Sequence, residues 1–212
     1  MIPHSYSHSK KGFTLIELLI VTVIIAVLAV VALTSTLRAQ DQFQFLGAVK
    51  ETSNKVREIR NYALSNKTII IGTGDAAENI IPYKYGACIK ESSDQLILFS
   101  DYSNEEATLN YYDDGEELPN GIYELPEKYH YEVFPKIESS ANGCDLTILY
   151  EATSAKFSVL GNLGGDSRSY IRIYEEDPDG EGEAALIREK YIVMFIVAGN
   201  PETFNSLDDT NK

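Results

Sequence analysis

The sequence predicts an α+β protein: one long N-terminal α-helix, half of it transmembrane, packed on a C-terminal antiparallel β-sheet head. Three observations predict it. The 21 residues Phe13–Leu33 form an apolar run whose only charge is Glu17. From Phe45 to Ala63 apolar residues, with Thr52 filling one gap, recur every three or four positions, the period of a helix with one buried stripe. From Thr68 onward the pattern changes to short runs rich in Ile, Val, Tyr and Phe, bounded by Gly, Asn, Asp or Pro.

Composition narrows the function. In 212 residues there are 18 Lys and Arg against 32 Asp and Glu, a net charge of −14. A protein that binds nucleic acid by neutralising phosphates needs a basic face, so this balance argues against one. Two cysteines and three histidines are too few for a zinc ribbon or a disulfide-dense scaffold. Fourteen Tyr and eight Phe supply aromatic mass for a modest core in the absence of Trp.

The apolar run comes first. At about 1.5 Å per residue, a helix of this length spans roughly 30 Å, the thickness of a bilayer core. Lys10 and Lys11 precede it and no basic cluster follows soon after, which places the N-terminus in the cytoplasm and the bulk of the chain on the far side. A secretory signal peptide cut near Val30-Val31-Ala32 is one alternative, and an uncleaved anchor is another. Neither explains Glu17, because a carboxylate in hydrocarbon costs about 2.5–3.5 kcal/mol even on insertion scales.

The stretch Lys10-Lys11-Gly12-Phe13-Thr14-Leu15-Ile16-Glu17-Leu18-Leu19 resembles the class III signal of type IV pilins and type II secretion pseudopilins. The likeness runs over about 25 residues and implies a division of the chain. Residues 1–12 would be a prepilin leader and 13–37 the transmembrane and assembly helix. Residues 38–66 would continue that helix, 67–203 would form the extracytoplasmic head, and 204–212 a polar tail. It implies that a prepilin peptidase cuts after Gly12 and N-methylates Phe13. It further implies as partners other pilin or pseudopilin subunits, an inner-membrane assembly platform with its ATPase, and membrane lipid before assembly.

Glu17 takes the family's acidic position, and its role follows from electrostatics. The α-ammonium of a cut chain at Phe13 and the Glu17 carboxylate are each costly alone in low dielectric, and opposite charges on neighbouring subunits compensate each other. An isolated subunit is therefore expected to leave Glu17 poorly paired. One departure from the family pattern is Thr34, where many major pilins have Pro, so the helix need not kink there. That favours a minor pilin or pseudopilin-like subunit.

The helix is expected to continue past Arg38, burying Phe45, Val49, Thr52, Val56, Ile59 and Ala63, and to end near Asn66 as its C′ residue. Strands are expected at 68–72, 85–90, 95–100, 121–125, 129–134, 145–150, 156–160, 169–174 and 191–197, in two small sheets. The stretches Tyr85-Gly86-Ala87-Cys88-Ile89, Leu96–Asp101 and Asp113–Leu118 also resemble, more loosely, the heads of the GspH/FimT-like minor pseudopilins.

Few residues of the head invite chemistry. Cys88 and Cys144 would lie outside the cytoplasm, where a disulfide persists, and could pair; the alternative is two buried thiols that never meet. Glu175, Asp177 and Asp179 alternate ahead of Gly180 like the start of a calcium loop, but the twelfth position is Leu186 rather than Glu. Some pseudopilins bind calcium in acidic loops; a solvated hairpin tip is the simpler reading, and no cofactor is expected. Asp113-Asp114-Gly115-Glu116-Glu117 reads as a turn. His130 is the only histidine beyond the leader and reads as a surface strand residue. With no nucleophile elbow, phosphate loop or paired metal motif, no enzymatic activity is expected. The expected function is a structural subunit of a type IV pilus or type II secretion pseudopilus. The alternative is a membrane-anchored extracytoplasmic binding module with an uncleaved anchor.

Overall fold

A computed structural model describes residues 14–71, 77–102, 112–113, 115–135, 143–154, 156–160, 168–176, 186–195 and 201–206 of the chain. One helix, α1, runs from Leu15 to Ser65 and is followed by eleven described strands. The architecture is α+β with antiparallel sheets, as the patterning predicts. The chain divides into two compact units, one ending at Gln44 and the other beginning at Phe45.

In the first unit, every described residue from Thr14 to Leu33 is exposed. Leu15–Leu33 is apolar on all sides, with mean hydropathy 3.1 over its most apolar stretch. Water cannot favour such a surface, since burying apolar area is the main driving force for folding.

In the second unit, the helix obeys a different rule. Phe45, Val49, Thr52, Val56, Ile59 and Ala63 are all sealed in the core, joined by Ala48. Thr52 is tolerated there because its hydroxyl is satisfied twice. It donates to the Ala48 carbonyl at 3.0 Å and shares a 2.9 Å hydrogen bond with the Tyr131 hydroxyl. The helix stops at Asn66, which takes the left-handed conformation with φ 48°. The Lys67 amide then donates to the Tyr62 carbonyl and the Asn66 amide to that of Ala63, a Schellman closure.

The strands form three sheets. β1 (Ile69–Ile71) and β2 (Glu78–Ile80) make a two-stranded hairpin. A five-stranded sheet has the order β5-β4-β3-β7-β8, with β3 (Lys84–Lys90), β4 (Gln95–Asp101), β5 (Glu117–Glu124), β7 (Leu146–Glu151) and β8 (Phe157–Leu160). A four-stranded sheet has the order β11-β10-β9-β6, with β6 (His130–Phe134), β9 (Arg168–Glu176), β10 (Leu186–Phe195) and β11 (Pro201–Phe204). All neighbours pair antiparallel.

The main core is built from alternate residues of both larger sheets and the helix stripe. Tyr85, Ala87 and Ile89 of β3 and Leu96 and Leu98 of β4 join Tyr131, Val133, Ile171, Ile173 and Ile192 of the other sheet. Period-two alternation sends the intervening residues to the opposite faces. On the five-stranded sheet these are Cys88, Ile97, Phe99 and Leu149, which form a second, smaller core with Tyr112 and Cys144. Gly86 is required there, because a Cβ on it would lie 2.3 Å from the Phe99 ring.

Several element boundaries are corrected. β2 was not expected. β5 begins at Glu117 rather than Gly121, so Glu117 is strand and not turn. β10 begins at Leu186, before the expected Tyr191. Phe204 closes β11 instead of opening a tail; residues 207–212 lie outside the described residues.

Candidate functional site

The start of α1 holds the acid on which the functional argument turns. The Thr14 amide and the Thr14 hydroxyl each donate to Glu17 Oε2 at 2.9 Å. In return the Glu17 amide donates to Thr14 Oγ1 at 3.3 Å. This is a reciprocal capping box: Thr14 caps the first turn and Glu17, three residues on, caps Thr14. A carboxylate in the first turn also faces the positive end of the helix dipole. In a lone subunit Glu17 thus has hydrogen-bond donors but, among the described residues, no opposite charge. Thr14 is its partner within the chain, and the Thr-x-x-Glu spacing was the signal that could have found it. Gly12 and Phe13 lie outside the described residues, as do Lys10 and Lys11.

From this start the helix offers 19 residues, Leu15–Leu33, long and apolar enough to cross a membrane. Glu17 is its one ionisable residue. Thr22 and Thr36 return their hydroxyls to the Leu19 and Ala32 carbonyls, so neither leaves an unmet donor on the apolar surface.

In the head, a disulfide joins Cys88 to Cys144 with their Cα atoms 5.4 Å apart. β7 runs beside β3 with Thr147 opposite Cys88, and Cys144, two residues ahead of β7, lies close enough to bond it. Glu175 is buried and forms an ion pair with Arg188 at 2.5 Å, with Lys128 at 4.0 Å. Asp177 and Asp179 lie outside the described residues, so the three acids of the calcium pattern are not seen together. Among the described residues, no group of three or more His, Cys, Asp or Glu is arranged to hold a metal ion. His130 is partly exposed on β6, with Nδ1 3.0 Å from Asp94 Oδ2.

A cavity of about 420 Å³ lies within the head, walled by Tyr62, Lys67, Ile69, Tyr102, Leu118 and Glu116. Glu116 is the residue here that the turn reading underrated. Burial pushes its carboxyl up to about 7, helped by the charges of Asp101, Asp113 and Glu117, although an amide donated by Asp113 works the other way. Its neighbour Glu117 goes in the opposite direction, below the usual carboxylate range, chiefly because the Tyr112 hydroxyl donates to it.

Comparison with known proteins adds one family match. The prokaryotic N-terminal methylation motif matches residues 7–33, the leader junction and most of the apolar helix. No curated protein and no solved structure matches the chain. The motif covers the segment in which Thr14 caps Glu17 at the head of an exposed apolar helix, and it indicates a structural role for the chain. Its N-terminal segment is the class III signal of a type IV pilin-like or pseudopilin precursor.

Proposed function

We propose that the chain is a structural subunit, a minor pilin or pseudopilin, of a type IV pilus or type II secretion pseudopilus. A prepilin peptidase cuts after Gly12 and methylates Phe13. The precursor sits in the cytoplasmic membrane with its N-terminus in the cytoplasm and its head outside. It is then drawn into a filament whose interior is lined by the apolar helix. The observation that carries this reading is the methylation motif over residues 7–33 with its acid, Glu17, inside an exposed apolar helix.

The physical argument is one of solvents. An apolar surface on all sides of Leu15–Leu33 is stable in lipid, and equally stable among identical helices. Moving between the two costs little apolar energy, so polar contacts at Glu17 decide which is preferred. Loss of Lys10 and Lys11 takes the net charge from −14 to −16, which keeps heads soluble and mutually repulsive away from specific contacts.

Mass spectrometry of the N-terminus of protein isolated from cells tests the reading. The expected product begins with N-methylphenylalanine at residue 13. A chain starting at Met1, or at Leu33 after signal-peptide cleavage, overturns it.

A further inference from the structure

The cavity of about 420 Å³ in the head takes no part in the chemistry of the leader and the apolar helix. It lies between the end of α1, β1, the end of β4 and the start of β5. Its volume is in the range of small-molecule sites. Ile69, Leu118 and Pro119 give it apolar walls, and Tyr62 and Tyr102 give it aromatic ones.

Among the described residues, Lys67, Glu116 and Glu117 are the charged ones that line it. Two of these are already engaged. Lys67 lays its ammonium on the Tyr62 ring, 3.7 Å from the centroid. Glu117 accepts the Tyr112 hydroxyl and, at 3.0 Å, the Gly115 amide. Glu116 is different. It is only 6% exposed. Its Oε2 accepts the Asp113 amide at 3.1 Å, while Oε1 has no donor and no cation among the described residues. Burial, and then the like charges of Asp101, Asp113 and Glu117, push its carboxyl up to about 7. A buried carboxylate with one oxygen unmet carries a cost that a cationic donor relieves.

We propose that this cavity binds a small organic cation, a primary ammonium on an apolar body. The ammonium donates to Glu116 Oε1, and the body lies against Ile69, Leu118 and the tyrosine rings. Charge complementarity carries the choice of a cation, because the charges acting on Glu116 share its sign. The Tyr62 ring already accepts one ammonium, that of Lys67, so the aromatic wall suits a second. A bare metal ion fits less well. It needs several oxygen ligands, and among the described residues no three acids or other ligating groups are arranged to hold one. The site lies wholly in the head and requires neither cleavage nor assembly, so it stands apart from the filament reading.

The ammonium needs the ionised carboxyl. Binding therefore tightens as pH rises through about 7, the value to which Glu116 is pushed. A neutral ligand accepting from the protonated carboxyl gives the opposite slope.

Methyl NMR of the full-length chain in zwitterionic micelles tests the site, with benzylammonium titrated to about 10 mM. Saturable shifts are expected at the Ile69 and Leu118 methyls. Affinity should be roughly 10-fold higher at about pH 8 than at about pH 6. Benzyl alcohol, of the same shape without the charge, should bind roughly 10-fold more weakly or worse. Glu116→Gln should weaken benzylammonium by a similar factor and remove the pH dependence. Shifts confined to the Leu15–Leu33 methyls mean partition into the micelle and overturn the proposal. So do equal affinities for the two probes, an affinity that falls as pH rises, or unchanged binding in Glu116→Gln.

Discussion

Between Leu15 and Leu33 no side chain of α1 is shielded, whereas between Phe45 and Ala63 every third or fourth one is sealed in a core. The two stretches share one helical backbone and differ only in where their apolar residues fall. In the first they fall everywhere, so no single face can be satisfied by a sheet of the same molecule. In the second they fall on one stripe, and the opposite side is left to Lys50, Asn54 and Arg57. The difference teaches that the first stretch has no cover of its own, which lipid or sister helices would supply in the proposed subunit, while the second belongs to a self-sufficient fold. Changes in the first should alter assembly and leave the head intact; changes in the second should do the reverse.

The largest effect is expected from Glu17→Ala. In the proposed filament Glu17 would face a neighbour's α-ammonium, and removing one partner of such a buried charge pair costs about 3–5 kcal/mol, so incorporation into filaments should fall roughly 100-fold or more. Cleavage after Gly12 and the melting of the head should be unchanged. Normal incorporation would break the comparison at its first term.

Next comes the disulfide. Replacing Cys88 and Cys144 by Ser opens a loop with a sequence separation of 56. Such a loop corresponds to about 4 kcal/mol in the chain-entropy account. The head should melt roughly 10 °C lower by circular dichroism, at about 2–4 °C per kcal/mol. An unchanged melt under oxidising conditions would show that the bond contributes nothing there.

Ile59→Ala is expected to cost about 3 kcal/mol, because Ile59 is fully enclosed between the helix and both larger sheets. Leu28→Ala, at an exposed position in the first stretch, should leave the same melt unmoved. Equal effects at the two positions would erase the distinction between the stretches.

The smallest effect concerns pH. The Glu116 carboxyl titrates near 7 in the folded head and near 4.5 when unfolded. Between these values the folded state binds the extra proton, so the contribution of Glu116 to stability is greatest below about 4.5 and is lost as pH rises through about 7. Glu116→Gln should remove that fall, raising stability at pH 8 by roughly 1–2 kcal/mol and leaving it little changed at pH 4. A wild-type melt independent of pH across this window would show that Glu116 is not held in that state.

Much of this was legible in the residues. The stripe Phe45, Val49, Thr52, Val56, Ile59 and Ala63 has a period that only a helix with one buried side can satisfy, and Asn66 suits the left-handed C′ position. Strands β3, β4, β6, β7, β8 and β9 announce themselves by β-branched and aromatic runs. The misses have physical reasons. The start of β5 runs through Pro119, Asn120 and Gly121, which read as turn signals. Here they occupy an edge strand with a register shift opposite Ile97 and Phe99, where Asn120 has φ 58°. β2, Glu-Asn-Ile, has little strand propensity of its own and is held by pairing with β1. β11 opens with proline, which an edge strand tolerates. Whether Cys88 and Cys144 face each other depends on strand order, which spacing along a chain does not encode. Thr14 was hidden in plain view, because the motif around it drew attention to the acid and away from its cap.

The cap changes how the life of the molecule in lipid is to be understood. In the subunit proposed above, a glutamate that already holds two donors from its own neighbour would enter the bilayer with a private substitute for water. Subunits would then wait there as a stable pool without unfolding their first turn or demanding company. Recruitment would become an exchange of one set of donors for another, governed by how well an incoming amine displaces a threonine.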